Sequence, residues 1–314
     1  MTRHALVLTA GLGTRLRPLT DVRAKPAIPV AGEPMIRRII RTLVAQGVDD
    51  LVLNLHHLPA TLTAVVGDGR DLGAVVRYSW EPQILGSAGG PRLARPIVGA
   101  ALFWIVNGDT LTDVPLAPLA DAHAGSGARV TLALVPNREF ARYGGVHLDA
   151  ERRVTRFTPR GPLSEGSYHF IGVQLVDQAV FDAVPAGEAA SSIGGIYDRL
   201  IVTSPGAIRG FVSDASFFDV GTVDDYRRTH DAFTDGARGG GHPTPSVGRG
   251  ATIDPSARVT RSILWDDVQV GAGATLDTCI VTDGVAVPPG AAYTRAVLVR
   301  SDDEGLIATP LSES

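Results

Sequence analysis

Between Val247 and Leu298 the chain repeats itself every 17 residues. Val247, Leu264, Val281 and Leu298 share one register, Ile253, Val270 and Val287 a second, and Val259, Leu276 and Tyr293 a third. Ile263, Ile280 and Val297 keep the same spacing, and the small residues Ala257, Ala274 and Ala291 coincide. Within a unit the first three apolar stations fall six apart. Ordinary antiparallel strands have no need of two nested periods. A triangular coil with one inward residue per face needs both, and stacking such coils buries a continuous core. Cys279 shares its station with Ser262 and Ala296, which reads as a packed small residue and not as a reactive one.

The pattern resembles the left-handed β-helix built from hexapeptide repeats, which implies such a domain over 247–300, about three coils deep, with a C-terminal tail over 301–314. Upstream, 235–246 includes the run GARGGGHPTP, a Gly/Pro-rich linker by composition. The preceding 1–234 alternates strands and helices. Apolar strands are expected at Ala5–Thr9, Leu51–Leu55, Ala74–Ser79, Leu102–Asn107 and Arg129–Val135, with shorter ones near Val146–Leu148 and His169–Val176. Pro34 suits the first turn of a helix whose inner face is Ile36, Ile39, Ile40, Leu43 and Val44, and Gly47 ends it. Val223–Phe233 reads as another helix. This order predicts an α/β domain with a doubly wound, mostly parallel, Rossmann-like sheet, in which ligands bind beyond the carboxyl ends of the strands.

Composition excludes several classes of protein. A length of 314 residues with 44% hydrophobic and 20% charged side chains is enough for two folded domains. A net charge of −4 argues against a nucleic-acid binder held by charge, and one cysteine excludes a disulfide framework. The longest apolar run, 100–106, is too short to span a bilayer, and the N-terminal residues lack a secretory pattern. A cytoplasmic protein with no membrane or nucleic-acid partner is expected. The 29 basic side chains comprise 28 arginines and one lysine, Lys25. Where arginine serves everywhere else, a surviving lysine marks either a solvated position or a tight anion site that distinguishes a point charge from a planar fork.

The stretch 8–36, LTAGLGTRLRPLTDVRAKPAIPVAGEPMI, bears on that choice. No Gly-Lys-Ser/Thr follows its glycines, and Leu16 stands where a dinucleotide fingerprint needs glycine. Gly11 and Gly13 nevertheless let backbone N–H groups approach an anion, and Arg15 and Lys25 supply two cations a short loop apart. Asp109, in the run NGD, follows the apolar strand 102–106, at the end of a parallel strand where ligands bind. By itself an aspartate there also serves as a turn or cap residue.

The run AGLGTR, then PLT, then KP, resembles the nucleotidyltransferases that make nucleoside-diphosphate sugars, the sugar-nucleotide pyrophosphorylases. EPQILGSAGG (81–90), VNGDTLTD (106–113), YGGV (143–146), FIGVQLVD (170–177) and FFDVGTVDDY (217–226) extend the resemblance through most of the chain. Within the family it is similar above all to the mannose-1-phosphate guanylyltransferases and the related sugar-1-phosphate uridylyl- and guanylyltransferases. The resemblance implies that Arg15 holds the triphosphate and Lys25 serves the α-phosphate and the attacking phosphate. It also implies that Asp109 and Asp219 hold Mg²⁺. Ala10, Gly11, Gly13, Thr14, Gln83, Leu85, Gly86, Ser87 and Ala88 match nucleotide-holding positions, and Gly144 and Gly172 match glycines that line the sugar pocket. Many relatives carry Glu-Lys-Pro after the YGxV strand. Here the stretch is Phe157-Thr158-Pro159-Arg160, so Arg160 replaces the lysine and the carboxylate is missing.

The expected reaction joins a sugar 1-phosphate to a nucleoside triphosphate, GTP with mannose 1-phosphate or a similar sugar, and releases pyrophosphate. Uridylyl or thymidylyl transfer to another hexose 1-phosphate is the alternative within the class. A catalytically silent sugar-nucleotide-binding regulatory subunit is the alternative outside it. A hexapeptide acyltransferase would need a catalytic histidine, and 247–298 contains none. The adjacent His56 and His57 lack metal-ligand spacing and read as surface or packing residues, and the pairs Arg152/Arg153 and Arg227/Arg228 as solvated faces. An exposed coil face and the family's habit imply a homo-oligomer.

Overall fold

Three buried apolar runs and one alternating, half-exposed strand form the parallel centre of a nine-stranded sheet. They are Val75–Trp80, Asp50–Leu55, His4–Leu8 and Leu102–Asn107, adjacent in that order. Continuous Val/Leu/Ile stretches suit strands covered on both faces, and Leu6, Val52, Phe103 and Ile105 are fully buried. Beyond Leu102–Asn107 the sheet becomes mixed. Tyr168–Asp177 runs antiparallel to it and to Val130–Pro136, which in turn pairs in parallel with Ile208–Val212. The hairpin Gly145–Leu148/Val154–Thr158 is attached through Tyr168, opposite Val146. The sheet thus keeps the expected parallel core and acquires an antiparallel extension.

The computed structural model describes residues 2–238, 245–301 and 305–311. The chain divides into two compact units, Met1–Gly11 with Ile36–Asp219, and Leu12–Met35 with Val220–Ser314. The sheet belongs to the first unit. Its core is completed by Ala88, Ala94 and Val98 of helix Gly86–Val98, Phe181, and Tyr197 of helix Tyr197–Thr203. The helix expected after Pro34 is Met35–Ala45, with Ile36, Ile39, Ile40 and Leu43 buried. Pro34 itself lies in the two-residue strand Glu33–Pro34 and not in the first helical turn.

In the second unit the 17-residue register is the hydrogen-bonded register. Val247, Leu264, Val281 and Leu298 pair in sequence on one face, Ile253, Val270 and Val287 on the next, and Val259, Leu276 and Tyr293 on the third. Leu264, Val270, Leu276, Val281, Val287 and Leu298 fill the axis of this left-handed β-helix, with Cys279 buried beside them. Burial pushes the Cys279 thiol up, against the Asp277 and Ala296 backbone contacts, as suits a packing role. One corner is taken at left-handed backbone in every coil, by Arg261, Thr278 and Arg295. The tail is not loose: Gly305–Pro310 returns antiparallel along Ala296–Ser301.

Helix Val223–Arg238 runs past the expected end at 233 and takes in the first four residues of the expected linker. Residues 239–244 of that linker lie outside the described residues, and Ser246 already belongs to a strand. Segment 12–35 groups with this unit because its own polar groups bond to it. The Tyr226 hydroxyl donates to the Pro29 carbonyl (2.8 Å), and the Ala31 amide donates to His230 Nδ1 (3.2 Å). No helix among the described residues is long and apolar enough to cross a membrane.

Candidate active site

In the first unit the site is organised by the turn Asn107-Gly108-Asp109. Strands His4–Leu8 and Leu102–Asn107 end together, with Leu8 opposite Asn107 and the Gly108 amide donating to the Leu8 carbonyl (2.9 Å). Ala10 and Gly11 therefore leave the sheet beside Asp109, at the carboxyl ends of parallel strands where backbone groups are free to meet a ligand. After the turn, Thr110–Thr112 pairs antiparallel with Phe217–Asp219. Asp219 lies directly opposite Thr110 and so next to Asp109, although 110 residues separate the two aspartates in the sequence. This short ladder sets Asp219 opposite the residue that follows Asp109. Among the described residues no group of three or more His, Cys, Asp or Glu is placed to hold a metal. Mg²⁺ commonly takes one or two carboxylates from protein and the rest of its ligands from phosphates and water.

Gly172 closes the third side of this turn. Between Phe170 and Gln174, three residues of Tyr168–Asp177 pass one of Val130–Pro136, which makes a bulge. Gly172 occupies the bulge at φ +78°, and a Cβ there would fall 2.8–2.9 Å from the Asn107 side chain. Glycine is required twice over, by backbone conformation and by the close approach.

The residues expected around the base lie after Val75–Trp80. Gly86, Ser87 and Ala88 form the first turn of helix Gly86–Val98. Their amides are only partly available, because Ala88 N donates to the Ala190 carbonyl (2.9 Å), while Ser87 Oγ accepts from Ser192 N (2.9 Å). Gln83 is exposed and its Nε2 donates to the Gly187 carbonyl (3.3 Å). Sequence reasoning missed the group that holds this segment. Glu81 is 1% exposed, and its carboxylate accepts from Asn54 Nδ2 (2.7 Å) and from the Leu85 amide (2.9 Å). Asn54 Oδ1 accepts from the Thr9 amide (2.6 Å), and the Thr9 hydroxyl donates to the Asn54 carbonyl. A buried, fully bonded polar chain thus links the loop of Ala10 and Gly11 to the loop of Leu85. The neighbouring His56 is a packing residue, with Nδ1 at the Glu81 carbonyl (2.9 Å) and its ring stacked on Trp80.

Beside these, a cavity of about 210 Å³ is lined by Val135, Asn137, Tyr143, His169, Ala215 and Phe217. Tyr143 stacks on His169 at 4.1 Å, and Phe217 meets both rings at 5.6 and 5.0 Å. Asn137 Oδ1 is buried without a protein partner. Burial drives His169 down to about 4, against the Gly144 carbonyl, which favours the protonated ring, and with Arg142, which disfavours it. The ring is neutral at pH 7. Gly144 abuts the Thr158 carbonyl, so the expected sugar-pocket glycine adjoins this cluster. Arg160 is exposed, and Pro159 accepts from Ser164 Oγ (2.8 Å) through its carbonyl. The aromatic cluster had a signal in the sequence, the aromatic residues within YGGV, HFIG and FFD.

The remaining expected residues, Gly13, Thr14, Arg15 and Lys25, belong to the second unit. Gly13 is left-handed (φ +61°), and a Cβ there would strike Thr20 Cγ2 at 2.7 Å and approach Lys25 Cβ at 3.3 Å. Its carbonyl accepts from the Thr20 hydroxyl (3.0 Å) and the Leu16 amide (2.8 Å). The glycine loop and the lysine are therefore packed against each other through Thr20. Arg15 is exposed on the short 3₁₀ turn Thr14–Leu16, whereas Lys25, opening the 3₁₀ turn Lys25–Ala27, is 9% exposed. A lysine that deep is not an incidental solvated cation.

Residues 4–236 match the family model described as Nucleotidyl transferase, and residues 240–298 match that of the GlmU-like C-terminal hexapeptide. The chain is 30% identical over 307 residues to a mannose-1-phosphate guanylyltransferase of Mycobacterium tuberculosis, covering 93% of this chain and 83% of that one. It is 33% identical over 225 residues to a D-glycero-alpha-D-manno-heptose 1-phosphate guanylyltransferase of Aneurinibacillus thermoaerophilus, covering 72% and 96%. Among solved structures, HddC from Yersinia pseudotuberculosis shares the fold, with a TM-score of 0.62 and 22% identity over 73% of this chain and 98% of that one.

Proposed function

The chain belongs to the nucleotidyl transferase family, and from that premise we propose that it transfers a guanylyl group from GTP to a manno-configured sugar 1-phosphate. A phosphate oxygen of the sugar attacks the α-phosphorus in line, and pyrophosphate leaves. Two anions have to be brought together, so positioning and charge neutralisation carry the catalysis and no covalent nucleophile is needed. Arg15 pairs with the triphosphate, matching a guanidinium fork to phosphate oxygens. Lys25, a compact ammonium, neutralises the α-phosphate and the attacking phosphate.

Asp109 and Asp219 are the Mg²⁺ ligands. Their donor chemistry fits the ion, since both are hard carboxylates, and the pairing of Asp219 with Thr110, the neighbour of Asp109, supports the assignment. When bound, the ion screens the phosphate charges and polarises the α-phosphorus. The chain's own residues do the rest. Ala10, Gly11, Gly13 and Thr14 present backbone toward the phosphates, and Gln83 with Leu85–Ala88 holds the base. Tyr143, the neutral His169 and Phe217 offer ring faces to the sugar, with Gly144 and Gly172 leaving room for it and Arg160 meeting its phosphate.

The observation that carries this reading is the pairing of Asp219 with Thr110, the neighbour of Asp109, at the turn that Gly172 packs against. The choice of guanylyl and of a manno sugar rests on the two guanylyltransferases above, both named for manno-configured 1-phosphates. The test is phosphate release in the presence of Mg²⁺ and pyrophosphatase, with each of five triphosphates against a panel of sugar 1-phosphates. GTP with mannose or manno-heptose 1-phosphate should give the highest kcat/KM. Preference for UTP or dTTP would replace the guanylyl assignment. Tight sugar-nucleotide binding without turnover for any pair would make the chain a silent regulatory subunit.

A further inference from the structure

Arg23 lies between Arg15 and Lys25 in the sequence, yet it points to neither an exposed surface nor a phosphate. It is 8% exposed, within the second unit, and its guanidinium is occupied on every side. Nε and Nη2 donate to the two oxygens of Asp283 at 2.6 and 2.7 Å, and Nη2 also donates to Asp266 Oδ2 at 2.8 Å. Nη1 reaches the carbonyl of Ala27 at 3.5 Å, and the group lies over the Trp265 ring at 5.4 Å. Bidentate, charge-assisted pairing of this kind fixes orientation as well as distance.

The two acceptors are equivalent positions of consecutive coils. Asp266 and Asp283 are 17 residues apart, and the Asp266 amide donates to Asp283 Oδ1 (3.1 Å). The same station holds Arg249 one coil before and Arg300 one coil after. Like charges directly opposite each other on adjacent strands repel, so two stacked aspartates cost stability unless a cation lies against both. Arg23 is such a cation, supplied from outside the coil. Arg249 adds a weaker contact to Asp266 at 3.4 Å, from a side chain that is otherwise exposed. Downstream of Lys25 the loop is fastened again. Trp265 Nε1 donates to the Tyr226 hydroxyl (3.0 Å), which donates to Pro29, and His230 accepts from Ala31.

We propose that Arg23 is a positioning residue for the transfer reaction. It clamps the loop bearing Arg15 and Lys25 onto the stacked Asp266 and Asp283 of the β-helix, so that the β-helix sets where Lys25 stands. The proposal rests on the reading above in which Lys25 serves the phosphates. Its consequence is that the coils do more than extend the chain: disturbing the 266/283 station alters catalysis although neither aspartate meets substrate.

The experiment uses the full chain as Arg23→Ala, Arg23→Lys, Asp283→Asn and the double variant Arg23→Ala/Asp283→Asn. It reads kcat and KM for both substrates together with amide hydrogen exchange of peptides covering 24–31. Small displacements of a positioned group cost catalysis heavily, up to ~100-fold for about 1 Å. The clamp predicts a kcat loss of at least about tenfold in Arg23→Ala and in Asp283→Asn, with KM for the triphosphate changed less than about threefold. Exchange over 24–31 should rise in parallel. Because the pair acts as a unit, the double variant should be no worse than Arg23→Ala, and Arg23→Lys should fall between it and wild type. If Arg23→Ala does not fold, Asp283→Asn carries the same test. Unchanged exchange, wild-type kcat in the folded variants, or multiplying losses in the double variant would each overturn the proposal. A wild-type chain inactive with every substrate pair would instead overturn the reading of function, while the exchange measurement would still report the clamp.

Discussion

His169 gives a prediction whose size follows from the structure. Its ring is enclosed by Tyr143 and Phe217, and burial holds its folded-state value at about 4 against 6.5 for the free side chain. Between those values the unfolded chain binds a proton that the folded chain refuses. Stability is therefore fully present above pH 6.5 and declines as pH falls toward 4. Integrated from pH 7 to pH 5, the difference in bound protons costs about 2 kcal/mol. For a unit of this size that corresponds to a fall in Tm of roughly 4–7 °C. The assay is thermal unfolding at pH 7 and pH 5 for wild type and His169→Phe, a variant that keeps a ring in the stack and cannot titrate. His123 is also held below its usual value by burial, against the opposing Asp177 charge, and contributes in the same direction. It remains in both proteins, so the difference isolates His169. The variant should lose that part of the pH dependence. Equal Tm changes in the two proteins would refute the enclosed, neutral ring and with it the uncharged wall assigned to the sugar pocket.

Two further substitutions test the rest of the site. Gly172→Ala should lower stability by at least about 1–2 kcal/mol from the left-handed backbone alone. It should also lower kcat more than about tenfold, because Asn107 must yield to the new Cβ and carries the Asp109 turn with it. Wild-type Tm and kcat would contradict the close packing. Lys25→Arg keeps the charge but enlarges a side chain already 9% exposed, so kcat should fall about 100-fold or more with a small change in KM for the triphosphate. A near-normal rate would remove the argument drawn from the solitary lysine.

What was legible in the sequence follows from how local its cause was. Leu102–Asn107 announces itself as an apolar run closed by Asn-Gly-Asp, and the strand has those bounds. The 17-residue period became strand register because each station's residue meets its own repeat. Helix Gly86–Val98 was hidden because Gly86, Gly89, Gly90, Pro91 and Pro96 all read as breakers, while its stability comes from Ala88, Ala94 and Val98 in the core. The antiparallel run of Tyr168–Asp177 and its bulge depend on which strands it meets, which no local period records. Glu81 and Arg23 were illegible for the same reason. Each looks like an ordinary loop charge until partners 27 residues away, for Glu81, and 243 and 260 residues away, for Arg23, are brought against it.

The proposed function depends on Asp109, which precedes Thr110, and Asp219, which pairs with Thr110, as the residues that hold the ion supporting transfer to the sugar phosphate. The direct measurement is sugar-nucleotide formation against Mg²⁺ concentration for wild type, Asp109→Asn and Asp219→Asn, with folding checked by Tm. Wild-type turnover should vanish with chelator and saturate with Mg²⁺, and each variant should lose about 1,000-fold or more at saturating ion while keeping its fold. Turnover of wild type in chelator, or of a folded Asp109→Asn variant near the wild-type rate, would contradict it.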